Sequence, residues 1–275
     1  GNLQLDISPR EARRLHLRIG RDLLRGAPEG PRIVEAVGHL RLAGASREAL
    51  RHATAAVRYL ESTLQGRAAL DLLGAMLRSV SEGRVLERVE IGLKMAELRM
   101  QVGDLEEGIR GLQEFLPRLR ELPRAAQLRT LLRLATLYAR RGDLARADRL
   151  FAEHLSEACA RGANLPTEDV LFFTNEHAMV KAFKGEYARA LALCEEGLTI
   201  AGGTGLAAQE FALNLHATRA NVALRTFDFA PAARDFEKAL EIAESIGSPV
   251  NQAAVLSNLG LVYSQCDRYA EAVRA

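Results

Sequence analysis

The stretch Leu259-Gly260-Leu261-Val262-Tyr263-Ser264-Gln265-Cys266-Asp267-Arg268-Tyr269-Ala270-Glu271-Ala272 decides the fold. Apolar and small residues recur three and four apart on both sides of a short polar turn. That is the period of one amphipathic helix folding back onto another. Working outward, the same arrangement returns four times: Phe227-Asp228-Phe229 with Ala232, Gly185-Glu186-Tyr187 with Ala190, Gly142-Asp143-Leu144 with Ala147, and Gly103-Asp104-Leu105 with Gly108. A weaker copy is Gly44-Ala45-Ser46 with Ala49. From Gly103 onward the turns lie 39, 43, 42 and 40 residues apart. The weak copy stands 59 residues further upstream, which leaves room for one more helix at about 67–82. A fixed period of this size is the mark of stacked repeats.

Each position in the unit has a physical reading. Glycine at the turn takes a left-handed backbone at little steric cost and ends the first helix. The acidic residue after it is expected to cap the second helix. A small residue three further on lets the two helices approach, and Leu112, Phe151, Cys194 and Phe236, four later again, fill the groove between them. Ala96, Ala135, Ala178, Ala220 and Gly260 mark the tight crossing in the first helix of each pair. Proline is rare and sits where helices should break, at Pro28, Pro31, Pro117, Pro123, Pro166 and Pro249. No strand-rich segment is visible, so a parallel-sheet nucleotide fold has nothing to be built from.

This layout resembles the tetratricopeptide repeat. The copy ending at Ala272 carries Leu259-Gly260, Tyr263, Tyr269 and Glu271-Ala272, and another carries Ala135, Tyr138, Gly142, Leu144, Ala147 and Phe151. The first-position Trp of that motif is absent throughout, Phe227 stands at one turn glycine and Gly108 at one alanine. The period near 40 is similar to the long-helix variants of kinesin light chain, cell-polarity adaptors and bacterial signalling regulators. The resemblance implies an all-α fold, a right-handed superhelix of antiparallel helix pairs. On this reading residues 1–29 form an N-terminal helical linker and 30–275 the array: a weak unit at 30–66, the extra helix, then units at about 84–122, 128–162, 171–201, 213–246 and 253–275, the last cut short. The string from Leu15 to Leu24, with the segment around Val37–Ala53, is similar to the join between a signal-transduction ATPase module and its repeats. Gly1 resembles the remnant of a removed tag, and Ala275 falls inside a helix. The expectation is a fragment of a larger bacterial regulator, a signal-transduction ATPase or a Ser/Thr kinase followed by repeats.

Composition narrows the classes. The chain has 275 residues, 48% hydrophobic and 26% charged, with net charge +2. That apolar share excludes wholesale disorder. Cys159, Cys194 and Cys266 are odd in number and far apart, which excludes a disulfide scaffold. No stretch approaches the ~20 apolar residues of a membrane span, and the N-terminus lacks an export signal, so a cytoplasmic location is expected. Arg supplies 33 of the 37 cations; a GC-rich genome accounts for that as readily as anion recognition does. Residues 1–140 carry a balance of +7 and residues 141–275 one of −5. No basic run with interleaved aromatics accompanies it, so no nucleic-acid partner is expected, and no membrane.

Tests for chemistry find none. Gly202-Gly203-Thr204-Gly205 has neither the preceding strand nor the lysine of a phosphate loop and falls where a linker between repeats belongs. The six histidines form no metal-ligand spacing, no cysteine has a neighbouring His or Lys to activate it, and Glu106-Glu107 and Glu195-Glu196 fall on outward faces. No catalytic residue, cofactor or metal is expected, and the segment is not expected to be an enzyme.

In a stacked array the first helices line an extended concave face. Counting back from each turn places Arg129, Arg133, Thr136 and Arg140 on it, then Phe172, Asn175, Glu176, Met179 and Phe183. Asn214, Thr218, Asn221 and Arg225 follow, then Ser257, Asn258, Leu261 and Gln265. The resemblance implies that Asn221 and Asn258 stand where peptide-binding members present an amide to a ligand backbone; one amide donates and accepts, matching a peptide unit whatever its side chain. Arg225 and Arg140 could then hold a carboxylate. Ala217 replaces the lysine that the chaperone-type carboxylate clamp requires. The leading expectation is a module that binds a protein or peptide partner, or another domain of the same polypeptide. The alternatives are a ligand-sensing arm of an ATPase or kinase regulator that takes a small effector, and a self-associating scaffold.

Overall fold

A computed structural model describes residues 8–26, 29–160, 164–202, 205–266 and 268–274. Gly1, Pro28, Gly203, Thr204, Asp267 and Ala275 lie outside the described residues. Among those described there are fourteen α-helices, one 3-10 helix and no strand. The helices are α1 Pro9–Leu23, α2 Pro31–Leu42, α3 Ser46–Ser62, α4 Gly66–Ser79, α5 Val85–Val102, α6 Leu105–Gln113, α7 Arg124–Arg141 and α8 Leu144–Cys159. They continue as α9 Thr167–Phe183, α10 Tyr187–Ala201, α11 Leu206–Arg225, α12 Phe229–Ser245, α13 Pro249–Gln265 and α14 Tyr269–Arg274. The 3-10 helix spans Leu116–Glu121. Two compact units divide the chain, one through Ala126 and one from Gln127. Within the first, successive helices from α1 to α6 pack side by side; within the second, α8 to α14 do so, and α9 also packs against α11. No helix of the described residues is long and apolar enough to cross a membrane.

One backbone device ends most first helices. At the close of α7 the Gly142 N–H donates to the Ala139 carbonyl and the Asp143 N–H to that of Tyr138, at 3.0 and 2.9 Å, with Gly142 left-handed at φ 93°. This pair of bonds satisfies carbonyls that the helix end would otherwise leave open. The same pair closes α11 through Phe227 and Asp228, and there the left-handed residue is Phe227, at φ 58°. Leu64 does likewise at the end of α3, at φ 57°. The acidic caps expected from the sequence are mostly absent. Asp143 accepts from the Arg146 N–H at 3.2 Å, whereas Asp104, Glu186 and Asp228 make no such bond. The left-handed turn already fixes the chain's entry into the next helix. At the other end of the chain, Ser8 and Glu11 form a reciprocal capping box ahead of Pro9.

The small positions after the turns from Gly103 to Phe227 are buried. Ala147, Ala190 and Ala232 have no exposed surface, and Leu112, Phe151, Cys194 and Phe236 are sealed among their neighbours. A Cβ on Gly197 of α10 would come within 2.8 Å of Leu215 on α11, so any larger residue there would have to displace that buried side chain. Burying a Phe side chain completely stabilises by about 1.5–3 kcal/mol, so Phe151, Phe173 and Phe236 anchor the second unit. Ion pairs tie adjacent helices together. Asp148 on α8 accepts from His177 and Lys181 on α9, at 3.0 Å each, and from Lys184. Asp235 on α12 accepts from His216 at 2.9 Å and from Arg219 at 2.7 Å, both on α11. Burial pushes the Asp148 carboxyl up, but hydrogen bonds from Lys181, Lys184 and His177 together reverse this and hold it at about 2.

Candidate functional site

Helices α9 and α11 of the second unit leave a cavity of about 700 Å³ between them. Its walls are α9 and α11, with Arg140 of α7 at the margin. The α11 wall is a single stripe: Phe211, Asn214, Ala217 and Thr218, Asn221, Leu224 and Arg225. Spacings of three and four place these on one face of a helix. The α9 wall supplies Phe172, Asn175, Glu176, Met179, Ala182 and Phe183 in the same rhythm. The faces behind them are spent on packing, with Phe173, Ala178 and Val180 behind α9 and Leu213, Leu215, Ala220 and Val222 behind α11, all buried. An amphipathic helix whose other faces are covered has only this one left for recognition.

Ten of the residues singled out above line this cavity: Arg140, Phe172, Asn175, Glu176, Met179, Phe183, Asn214, Thr218, Asn221 and Arg225. They are not equivalent. Asn214 and Asn221 are exposed and make no side-chain hydrogen bond among the described residues. Asn175 is engaged: its Oδ1 accepts from the Thr218 hydroxyl at 2.8 Å, and its Nδ2 lies 3.8 Å from the Met179 sulfur. Arg140, read above as a holder of a ligand carboxylate, instead donates to Glu176 at 2.7 Å. Glu176 is 4% exposed against 50% for the Arg140 side chain. A carboxylate buried that deeply requires its cation, so Arg140 serves the protein's own acid. Arg225 lies over the Phe183 ring, 5.0 Å from its centroid, and forms no ion pair among the described residues.

The remaining candidates stand elsewhere. Arg129 pairs with Asp169 at 3.2 Å. Arg133 lies over the Phe172 and Phe173 rings, at 4.7 and 5.4 Å. Asn258 and Gln265 are on α13, away from the cavity lining. Thr136, expected on the inner face, is fully buried and donates to the Leu132 carbonyl. Ala182, Phe211, Ala217 and Leu224 are lining residues that the sequence reading did not place there. Phe211 lies three residues before Asn214, on the stripe that runs on to Arg225, and that periodicity was the signal available for it.

Nothing in the cavity is arranged for bond-breaking chemistry. It holds one acid, and that acid is paired. Cys194 lies in the core, where burial pushes its thiol up to about 12. No group of three His, Cys, Asp or Glu residues is placed to hold a metal ion among the described residues. What the cavity offers is amides, aromatic and sulfur surface, and, in Arg225, one cation not paired with an acid among the described residues.

Residues 252–275 match the tetratricopeptide repeat family model. No curated protein matches the chain in sequence. Among solved structures, the chain is similar to a signal-transduction ATPase with numerous domains from Pyrococcus horikoshii that has a tetratricopeptide repeat sensor. The identity is 16% and the TM-score 0.63, over 98% of this chain and 39% of that one. It is also similar to a Rap protein complexed with competence and sporulation factor, at 14% identity and TM-score 0.57, over 95% of this chain and 72% of the other. The apo quorum sensor NprR from B. thuringiensis aligns at 16% identity and TM-score 0.60, over 88% and 73%. The chain thus spans well under half the length of the ATPase that it resembles. Helix pairs closed by the same turn, small residues at each crossing and the matched repeat give one conclusion: in fold, this chain is a tetratricopeptide-repeat array.

Proposed function

We propose that the α9–α11 cavity receives an extended peptide segment of a protein partner, and that the chain is the recognition part of a larger signalling protein. The observation that carries this reading is the pair Asn214 and Asn221: exposed amides on one helix face, with their hydrogen-bonding capacity unspent, set on a wall with Phe211, Ala217 and Leu224. An amide that both donates and accepts satisfies the backbone of an extended chain, and Phe172, Met179 and Phe211 give its side chains apolar surface. Structural likeness to a Rap protein complexed with a factor, and to a quorum sensor, supports the reading. A regulatory setting, as in an ATPase that carries such repeats as its sensor, and a cytoplasmic location complete the proposal.

A second reading has its own support. A cavity near 700 Å³ falls in the range of small-molecule sites, about 300–1,000 Å³. On that reading the arm senses a small effector rather than a peptide.

Selection from a displayed random-peptide library separates the two. The native chain should enrich peptides that the Asn214→Ala/Asn221→Ala chain releases, with melting temperature unchanged because neither amide has an internal partner. Equal retention by both chains, or no enrichment at all, defeats the peptide reading.

A further inference from the structure

Resting on the peptide reading above, we infer that the groove selects segments bearing a carboxylate and that Arg225 is the residue that reads it. Three charged residues line the cavity: Arg140, Glu176 and Arg225. The first two neutralise one another at 2.7 Å. One positive charge remains, and it stands on the wall that carries the free amides.

The setting of Arg225 fits a planar anion. The guanidinium carbon lies over the Phe183 ring, 5.0 Å from its centroid. A guanidinium without an ion-pair partner keeps N–H donors whose fork matches the two oxygens of a carboxylate.

The spacing sets the register. Asn221 lies one turn before Arg225, about 6 Å along the axis, and Asn214 about 16 Å before it, at ~1.5 Å per residue. An extended chain advances ~3.3 Å per residue. The backbone therefore meets Asn221 about two residues from the carboxylate and Asn214 about five, so roughly six residues span the site. The carboxylate comes either from the segment's C-terminus or from an Asp or Glu side chain.

Four synthetic pools of random hexapeptides distinguish these cases: free acid or C-terminal amide, each with Asp and Glu either allowed or replaced by Asn and Gln. The pools are passed over the immobilised chain, and retained peptides are measured by mass spectrometry. Retention should require a carboxylate. The free-acid pool lacking Asp and Glu reports the terminal source, and the amidated pool containing them reports the side-chain source. Arg225→Gln should weaken retention on the order of tenfold to a hundredfold, the range for a hydrogen bond to a charged group. Arg225→Lys should keep the preference with weaker retention. Equal retention of the amidated pool lacking Asp and Glu, or an Arg225→Gln chain that behaves as native, overturns the inference; if Asn214→Ala/Asn221→Ala still releases the peptides, the groove reading survives that result. A native chain that retains no pool removes both.

Discussion

Phe227 holds the backbone position that glycine holds in three equivalent turns. Its φ is 58°, against 83° at Gly103, 93° at Gly142 and 80° at Gly185. For an L-residue the left-handed region costs about 1–2 kcal/mol. Glycine removes that cost but adds about 0.5–1 kcal/mol of backbone entropy in the unfolded chain. The ring itself contributes little: it is 80% exposed, with Phe229 edge-on at 6.4 Å. Comparing Phe227→Gly with Phe227→Ala removes the ring from both chains and isolates the backbone. Glycine should win by about 0.5–1 kcal/mol. In an exposed helix interior, alanine wins by about the same amount. For a unit of this size the difference corresponds to about 1–3 °C in melting temperature. Gly185→Ala, where a Cβ would meet nothing within 4 Å, should lose stability for the same reason. Melts of the three chains followed by circular dichroism read the result. A Phe227→Gly chain that melts at or below the Phe227→Ala chain refutes the backbone argument.

Other outcomes follow from the packing and the ion pairs. Phe236→Ala empties a fully buried position and should cost about 3–5 kcal/mol, read by urea denaturation; a loss under 1 kcal/mol would mean that the surrounding helices collapse into the space. Acid should weaken the second unit in two stages. Burial drives the His177 imidazole below its ordinary range, although Asp148 opposes this; Lys181 and Arg189 add to the lowering. The native state therefore binds fewer protons there than the unfolded chain, and stability falls as pH drops below about 6.5. Asp148, held at about 2, contributes about 2 kcal/mol that persists above pH ~4 and is lost as pH falls toward 2. His177→Gln should abolish the first stage and leave the second; a native chain whose melting temperature is flat between pH 7 and 5 contradicts the assignment.

Local chemistry made the fold and most of the cavity lining legible and hid which lining residues are already engaged. Helix spacing, turn glycines and the small residues after them are near-neighbour properties, so Gly142-Asp143-Leu144 with Ala147 announces its hairpin directly. Leu64 announces nothing: a leucine in a left-handed turn carries no local signal, and the close of α3 could not be read from it. The inner face of each first helix was readable from periodicity, which is why Asn214, Asn221 and Arg225 fall on one stripe. The commitments of Arg140 and Asn175 were not. Glu176 lies 36 residues from Arg140, and Thr218 lies 43 from Asn175, so each bond depends on how neighbouring repeats register. Thr136 was misplaced for a different, local reason. Its hydroxyl satisfies itself on the preceding turn, which lets a polar residue sit in the core.

The central claim is that the free amides of α11 meet the ligand. Side-chain amide resonances of Asn214 and Asn221, followed by NMR while a library-selected hexapeptide is added, test it directly. Both should shift with a common saturation curve while those of Asn258 on α13 stay in place. A peptide that saturates the chain and moves Asn258 or outer-face residues, leaving Asn214 and Asn221 unmoved, contradicts the account.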